Sequence, residues 1–217
     1  MKDIKNLFKN LEQSLLALLI AMHVWALVAF NLPTLRGIFL PLTPLNLLIS
    51  AFVIFKSYRG QTLYVFALAS AIYLLGFFIE AIGVNTGFPF GEYVYGNVLG
   101  PKVWDTPIII GINWFIMFSG ILYAIELIRL PILIKALAGA TLMTASDYLI
   151  EPVAISLEFW TWDKGLPPVE NYMGWFVVSF GMYLLYYKFF KSVVVTKNAF
   201  WVVSIFVLFF VFQNLII

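Results

Sequence analysis

Apolar positions in this chain do not alternate with polar ones; they run on in long blocks. Seven such blocks follow one another at 11–30, 38–56, 62–83, 106–127, 131–150, 172–190 and 199–217. About 20 mostly apolar residues suffice for a helix to cross a bilayer. Pro33, Pro41 and Pro44 punctuate the first connection, and Ser57 to Gln61 form the second. Leu130-Pro131 makes the fourth so tight that its two helices are expected to be antiparallel neighbours. The last block is rich in Val, Phe and Ile, yet a lone strand in lipid leaves its backbone groups unpaired. The predicted fold is therefore all-α: a polytopic membrane bundle of about seven transmembrane helices, forming one transmembrane helical domain over 1–217.

Composition sharpens that picture. The chain has 217 residues, 63% hydrophobic and 11% charged, whereas a soluble domain is nearer half apolar and a quarter charged. Its solvent is lipid. A net charge of +2 gives no reason to expect a nucleic-acid partner. The absence of cysteine excludes disulfides, thiolate metal sites and cysteine catalysis. The first apolar block follows Lys2, Lys5 and Lys9 but is long and ends without a small-x-small cleavage site, so it reads as a retained anchor.

Lysine and arginine set the orientation. With the N-terminus cytoplasmic, ten of them fall inside: Lys2, Lys5, Lys9, Lys56, Arg59, Arg129, Lys135, Lys188, Lys191 and Lys197. Only Arg36, Lys102 and Lys164 fall outside. The expectation is a multi-pass protein of the cell's inner or plasma membrane, N-terminus in and C-terminus out. The acids run the other way. Glu80, Glu92, Asp105, Asp147, Glu151, Glu158, Asp163 and Glu170 gather at the outer ends of the third to sixth helices; only Asp3, Glu12 and Glu126 lie elsewhere. Acids contribute little to topology, so this gathering needs a local reason. The two long loops, 84–105 and 152–171, lie on that side too, dense in Gly, Pro, Trp and Tyr.

Three of these acids sit within helices or at their ends. Asp147 and Glu151 are spaced i, i+4 and share one face with Thr144. Glu80 lies a similar few residues from the outer end of its own helix. All three are expected to meet at one depth beneath the loops. Intramembrane acids usually face the bundle interior and serve a function. The plain alternative is that they are interfacial groups wetted by headgroup water, or partners for Lys102 and Lys164. Crowded carboxyls in an apolar site resist ionisation, so one group holds its proton beside another that does not; that is an acid/base pair. No metal pattern accompanies them. His23, the lone histidine, reads best as a polar residue bonded between helices. Asn113, about two turns into the fourth helix, is a buried amide that either holds a water or carboxylate or glues helices together.

Aromatics crowd the same end: Trp160, Trp162, Trp175, Tyr93, Tyr95, Trp104, Trp114, Tyr148 and Tyr172. An interfacial belt accounts for some of them, but here the tryptophans favour one side. Aromatic faces also stabilise cations. An apolar cavity with an acid, a base and aromatic walls suits a reaction through a carbocation.

Two blocks resemble a known family: "EAIGVNTGFPFGEYVYGNVLGPKVWDTPIIIGINW" (80–114) and "SDYLIEPVAISLEFWTWDKGLPPVENYMGW" (146–175). They combine E-x-x-G-x-x-T-G-x-P-F-G-x-Y-x-Y with D-x-x-x-E-P and W-x-W. This pattern is similar to that of the integral-membrane carotenoid biosynthesis protein family, including carotenoid 1,2-hydratases of the γ-carotene 1′-hydratase and bisanhydrobacterioruberin hydratase type. It covers roughly the middle half of the chain. One departure stands out: the family pattern has Asp where Glu151 precedes Pro152.

The resemblance implies water addition across the C1–C2 double bond of an acyclic ψ-end group, as in lycopene or γ-carotene, with no cofactor. The implied partners are the bilayer, a carotenoid with an acyclic end and water; other carotenoid enzymes are candidate associates. Hydration needs a proton at C2, a tertiary cation at C1, and water at C1 with its proton removed. On that reading Asp147 is the general acid, and Glu80 or Glu151 orients and deprotonates the water. Trp160, Trp162 and Tyr95 flank the cation, with Tyr93, Trp114, Asn113, Trp175 and Asn171 completing the substrate-binding set. Gly87, Pro89 and Gly91 form a tightly turned covering loop, in which Gly83, Gly87 and Gly91 let backbone approach a thin polyene.

Rival readings are a carotenoid cyclase, which must exclude water, and a non-catalytic carotenoid or lipid binder or transporter. The transporter lacks an inverted repeat and paired broken helices. A retinal photoreceptor would need a lysine in the last helix, and 199–217 has none. A prenyltransferase would need two acidic metal-binding motifs, of which Asp147 and Glu151 supply at best one.

Overall fold

In the computed structural model the described backbone is 2–217 and the described side chains are 11–217. The side chains of Lys2, Asp3, Lys5 and Lys9, used above for orientation, lie outside the described residues. The helices are α1 (Lys2–Ala29), α2 (Pro33–Phe39), α3 (Thr43–Ser57), α4 (Thr62–Thr86), α5 (Ile110–Glu126), α6 (Ile132–Ser156), α7 (Val169–Leu185) and α8 (Lys197–Asn214). A 3-10 turn at Leu40–Leu42 joins α2 to α3 as one elbowed column, and a π turn at Tyr186–Phe190 prolongs α7. That makes seven columns among the described residues. Five are long and apolar enough to span a membrane. The chain is an integral membrane protein with an all-α bundle fold.

Several boundaries differ from those expected. The second column starts at Pro33, not 38, because Pro33 and Pro44 occupy first-turn positions where a missing N–H leaves no bond unmade. The fourth starts at 110, not 106, because Thr106 and Pro107 are committed to a strand. The fifth runs on to Ser156 with Pro152 inside it. Lipid offers the backbone no alternative partner, so a helix there tolerates an interior proline that would end one in water. Glu151 thus lies inside its helix rather than at its edge.

The helix α5 is central, with 13 of its 17 residues buried; wrapped by α3, α4, α6 and α8, it has little lipid to face and can be short. Asn198 Nδ2 donates to Glu12 (2.9 Å) near one end of α1, and Asn31 Nδ2 to Gln213 Oε1 (3.1 Å) near the other. Helices α1 and α8 therefore run parallel. The expected contact of α5 with α6 is present and closed by Lys135–Glu126 (3.1 Å), the ion pair among the described residues.

Three short antiparallel ribbons, not anticipated from the sequence, tie the connections. They are β1 (Tyr58–Arg59) with β6 (Val194–Val195), β2 (Tyr93–Tyr95) with β5 (Trp160–Trp162), and β3 (Lys102–Val103) with β4 (Thr106–Pro107). The first lies at the Lys/Arg-rich end. The second joins the two long loops over the opposite end, in register Tyr93↔Trp162, Val94↔Thr161 and Tyr95↔Trp160. Bonds from Asp163 N to Glu92 O (3.0 Å) and Gly96 N to Phe159 O (2.9 Å) extend it.

Candidate active site

A strand turns alternate side chains to opposite faces. Along β2 and β5, Val94 and Thr161 face out while Tyr93, Tyr95, Trp160 and Trp162 face the helices, each less than a tenth exposed. Four amphipathic aromatics thus present their polar edges downward, and beneath them stand the three carboxylates. Glu80, Asp147 and Glu151 are all buried.

Each carboxylate is held differently. Glu80 is saturated. Its Oε2 accepts from Tyr93 (2.5 Å) and Tyr95 (2.8 Å), and its Oε1 from Trp114 Nε1 (2.9 Å). Burial, then the Glu80 carboxylate beside them, push both phenols well above their ordinary range, so they remain protonated donors. Glu151 Oε2 accepts from Trp160 Nε1 (3.0 Å) and Trp162 Nε1 (2.9 Å). Asp147 Oδ2 accepts one bond, from Asn171 Nδ2 on α7 (2.7 Å). Among the described residues nothing further donates to Glu151 Oε1 or Asp147 Oδ1. Neither outer lysine pairs with them: Lys102 Nζ donates instead to Tyr95 O (2.5 Å).

Trp114 is positioned by α4. Gly76, one helical turn before Glu80, leaves the space its ring occupies; a Cβ there would lie 2.5 Å from the ring. On its other face Trp114 stacks on Trp175 of α7, centroids 3.9 Å apart and planes at 11°.

The carboxylates line one small cavity of about 20 Å³, with Tyr93, Tyr95, Trp160, Trp162, Asn113, Asn171, Trp175, Phe90, Ile110 and Ile150. That volume suits a single water. Trp114 stands behind the wall, bonded to Glu80. A second, larger cavity of about 190 Å³ lies alongside, almost wholly apolar, against α1, α3 and α8. Ile110, Asn113, Ile150 and Trp160 line both. Asn113 sits in the first turn of α5 rather than two turns in. It is 8% exposed, and among the described residues its amide has no hydrogen-bond partner.

Several expectations change. The glycines near the loop give room to protein, not to a polyene. A Cβ on Gly83 would meet Phe90 at 2.7 Å, and one on Gly91 would meet Pro168 at 2.6 Å. Gly87 closes α4 in the left-handed region (φ 74°), and Gly91 is also positive (φ 101°). With Pro89 they lay the loop down against α7. Thr144 turns its hydroxyl back to Ala140 O (3.0 Å) and stays out of the cluster. His23 bonds within its own helix, through Nδ1 to Leu19 O (2.8 Å), and lines the large cavity. Trp104 and Tyr148 are exposed and Tyr172 is half-buried, as a belt would have them. The residues that sequence reasoning missed are the apolar wall shared by the two cavities, Ile110 and Ile150, and the positioning residue Gly76. Among the described residues no cluster of acids and His could hold a metal ion.

No solved structure matches the chain. A bisanhydrobacterioruberin hydratase from Haloarcula japonica is 29% identical over 114 residues, which are 48% of this chain and 39% of that protein. The match therefore spans well under half of that relative's own length. A family model described as carotenoid biosynthesis protein matches residues 13–217, so the likeness first met in the middle of the sequence extends to both outer helices that wall the large cavity. The chain belongs to the carotenoid biosynthesis protein family.

Proposed function

We propose that the chain is a carotenoid 1,2-hydratase that adds water across the C1–C2 double bond of an acyclic ψ-end group. The observation that carries the proposal is the pairing of cavities: a water-sized polar one walled by three carboxylates, lying against a larger apolar one across a shared wall. The name of the Haloarcula japonica relative, a hydratase of a carotenoid, supports the same reaction class.

Asp147, with an oxygen left unbonded, is the general acid. Its proton goes to C2; the π electrons form the new C–H bond and leave a tertiary cation at C1. Water attacks C1, and Glu151 Oε1 takes its proton, giving the tertiary alcohol. The proton then returns from Glu151 to Asp147, its neighbour one turn back on α6. One water enters and no cofactor is consumed. Glu80, with both oxygens already accepting bonds from three donors, is a held negative charge beside the cation, and Glu151, with a free oxygen, is the base. Asn113 orients the water from the wall between the cavities. The aromatic faces of Trp160, Trp162 and Tyr95 border the charge. A cyclase, which must keep water from the same cation, fits a water-sized polar cavity less well.

The test is expression in a bacterium that makes lycopene or γ-carotene, followed by mass spectrometry of its carotenoids. A product heavier by one water, bearing a tertiary hydroxyl, is expected. A product of unchanged mass and altered spectrum would overturn hydration in favour of cyclisation.

A further inference from the structure

We infer that the substrate's apolar chain loads sideways from the bilayer, between α1 and the α2–α3 elbow, into the 190 Å³ cavity, and that only the end of the chain enters the protein. The inference rests on the carotenoid reading of the site but concerns a different part of the molecule.

Three observations carry it. The first is adjacency. The large cavity shares Ile110, Asn113, Ile150 and Trp160 with the carboxylate cavity, so an apolar end lying in one is a single layer of side chains from the other, and those side chains must part for its terminal double bond to reach the acids. The second is the mouth. Trp25 on α1 and Leu42 at the elbow both line the cavity and are 47% and 43% exposed. On α1 the neighbouring surface residues are Val24 and Val28, both exposed and apolar. A surface of that kind on a spanning helix faces lipid, so the cavity opens to the bilayer and not to water. The third is size. A cavity of about 150 Å³ takes up a benzene, so about 190 Å³ accepts a short terminal isoprenoid stretch and no more. The remainder of a long polyene must lie outside, in lipid, past Trp25 and Leu42.

The interior suits such a guest. Phe206, Phe209 and Phe210 of α8 form the far wall, and His23 sits edge-on to Phe206 (5.8 Å) and Phe209 (5.5 Å). His23 Nδ1 is bonded to its own helix, at Leu19 O. Ala26, half-buried on α1, is the small residue of the near wall.

The experiment uses the full chain in lipid nanodiscs with lycopene as probe, reading the visible circular dichroism that a polyene acquires in a chiral site. Wild type and Asp147→Asn are both expected to induce the signal. Ala26→Phe fills the cavity, and Leu42→Trp narrows the mouth at a surface position that folding tolerates. Each is expected to weaken the apparent affinity about tenfold or more. Leu133→Trp, on an exposed face of α6, is expected to bind as wild type does. If wild type binds and the two blocking variants do not, the route stands even where no hydrated product forms. If hydrated product forms but both blocking variants keep wild-type affinity and KM, the route is overturned while hydration survives. Absence of any lycopene signal with wild type would also overturn it.

Discussion

Tyr95 lies directly opposite Trp160 across the ribbon that joins the two long loops, and each donates to a different carboxylate: Tyr95 to Glu80 at 2.8 Å, Trp160 to Glu151 at 3.0 Å. Two acids from separate helices are thus held at a set spacing by six residues of strand. Tyr95→Phe keeps the ring and removes one donor. A hydrogen bond to a charged group is worth about 1.5–3 kcal/mol, so hydration should fall roughly ten- to a hundredfold while the protein still inserts and melts cooperatively. Product assays beside a thermal melt check this; unchanged turnover would detach the ribbon from the chemistry.

Asp147→Asn should abolish hydration and leave the fold intact. An asparagine keeps an oxygen to accept from Asn171 but cannot deliver the proton. Product analysis in the carotenogenic host, with protein level in the membrane fraction as the control, decides it. Ordinary product yield would remove Asp147 from its role.

Glu151 gives a graded test. Glu151→Asp places before Pro152 the residue that the sequence resemblance leads one to expect, and should keep measurable activity, since a carboxylate remains. Glu151→Gln should lose it, because an amide cannot take up the water's proton. Equal activity in the two variants would argue against Glu151 as the base.

Gly76→Ala should lower both stability and activity. The added methyl would stand 2.5 Å from the Trp114 ring, and overpacking of this kind costs about 1–3 kcal/mol. Moving Trp114 loosens its bond to Glu80 and its stack on Trp175 together. A lower melting temperature accompanied by weaker turnover is the expected pair; a variant as stable and active as wild type would mean that Trp114 is not tightly held.

The spans were legible because lipid demands long apolar runs, and the three acids stood out because such runs rarely carry charge. Their partners were harder to read. The motifs Tyr93-x-Tyr95 and Trp160-x-Trp162 already carried the two-residue alternation of strands, but three residues are too few for periodicity to assert itself. The fifth apolar block stops at 150, yet its helix runs on through Pro152 to Ser156, because its last residues are mixed in polarity and hydropathy alone does not mark them. Gly83 and Gly91 suggested room for a ligand, yet Phe90 and Pro168 fill it, and sequence cannot tell one occupant from another. The large cavity was invisible for a different reason. On α1, α3 and α8 the residues facing lipid and those facing the cavity are equally apolar, so Phe206 and Phe209 carry no mark that sets them apart from Phe212.

The most direct test of water addition by the carboxylate cluster is a reaction of the purified protein in lipid, run in water carrying both heavy oxygen and deuterium, with mass spectrometry of the carotenoid. Wild type should yield a product with one heavy oxygen in its tertiary hydroxyl and one deuterium fixed on the adjacent carbon, and Asp147→Asn should yield none. A product lacking either label, or one formed equally well by Asp147→Asn, would contradict the account.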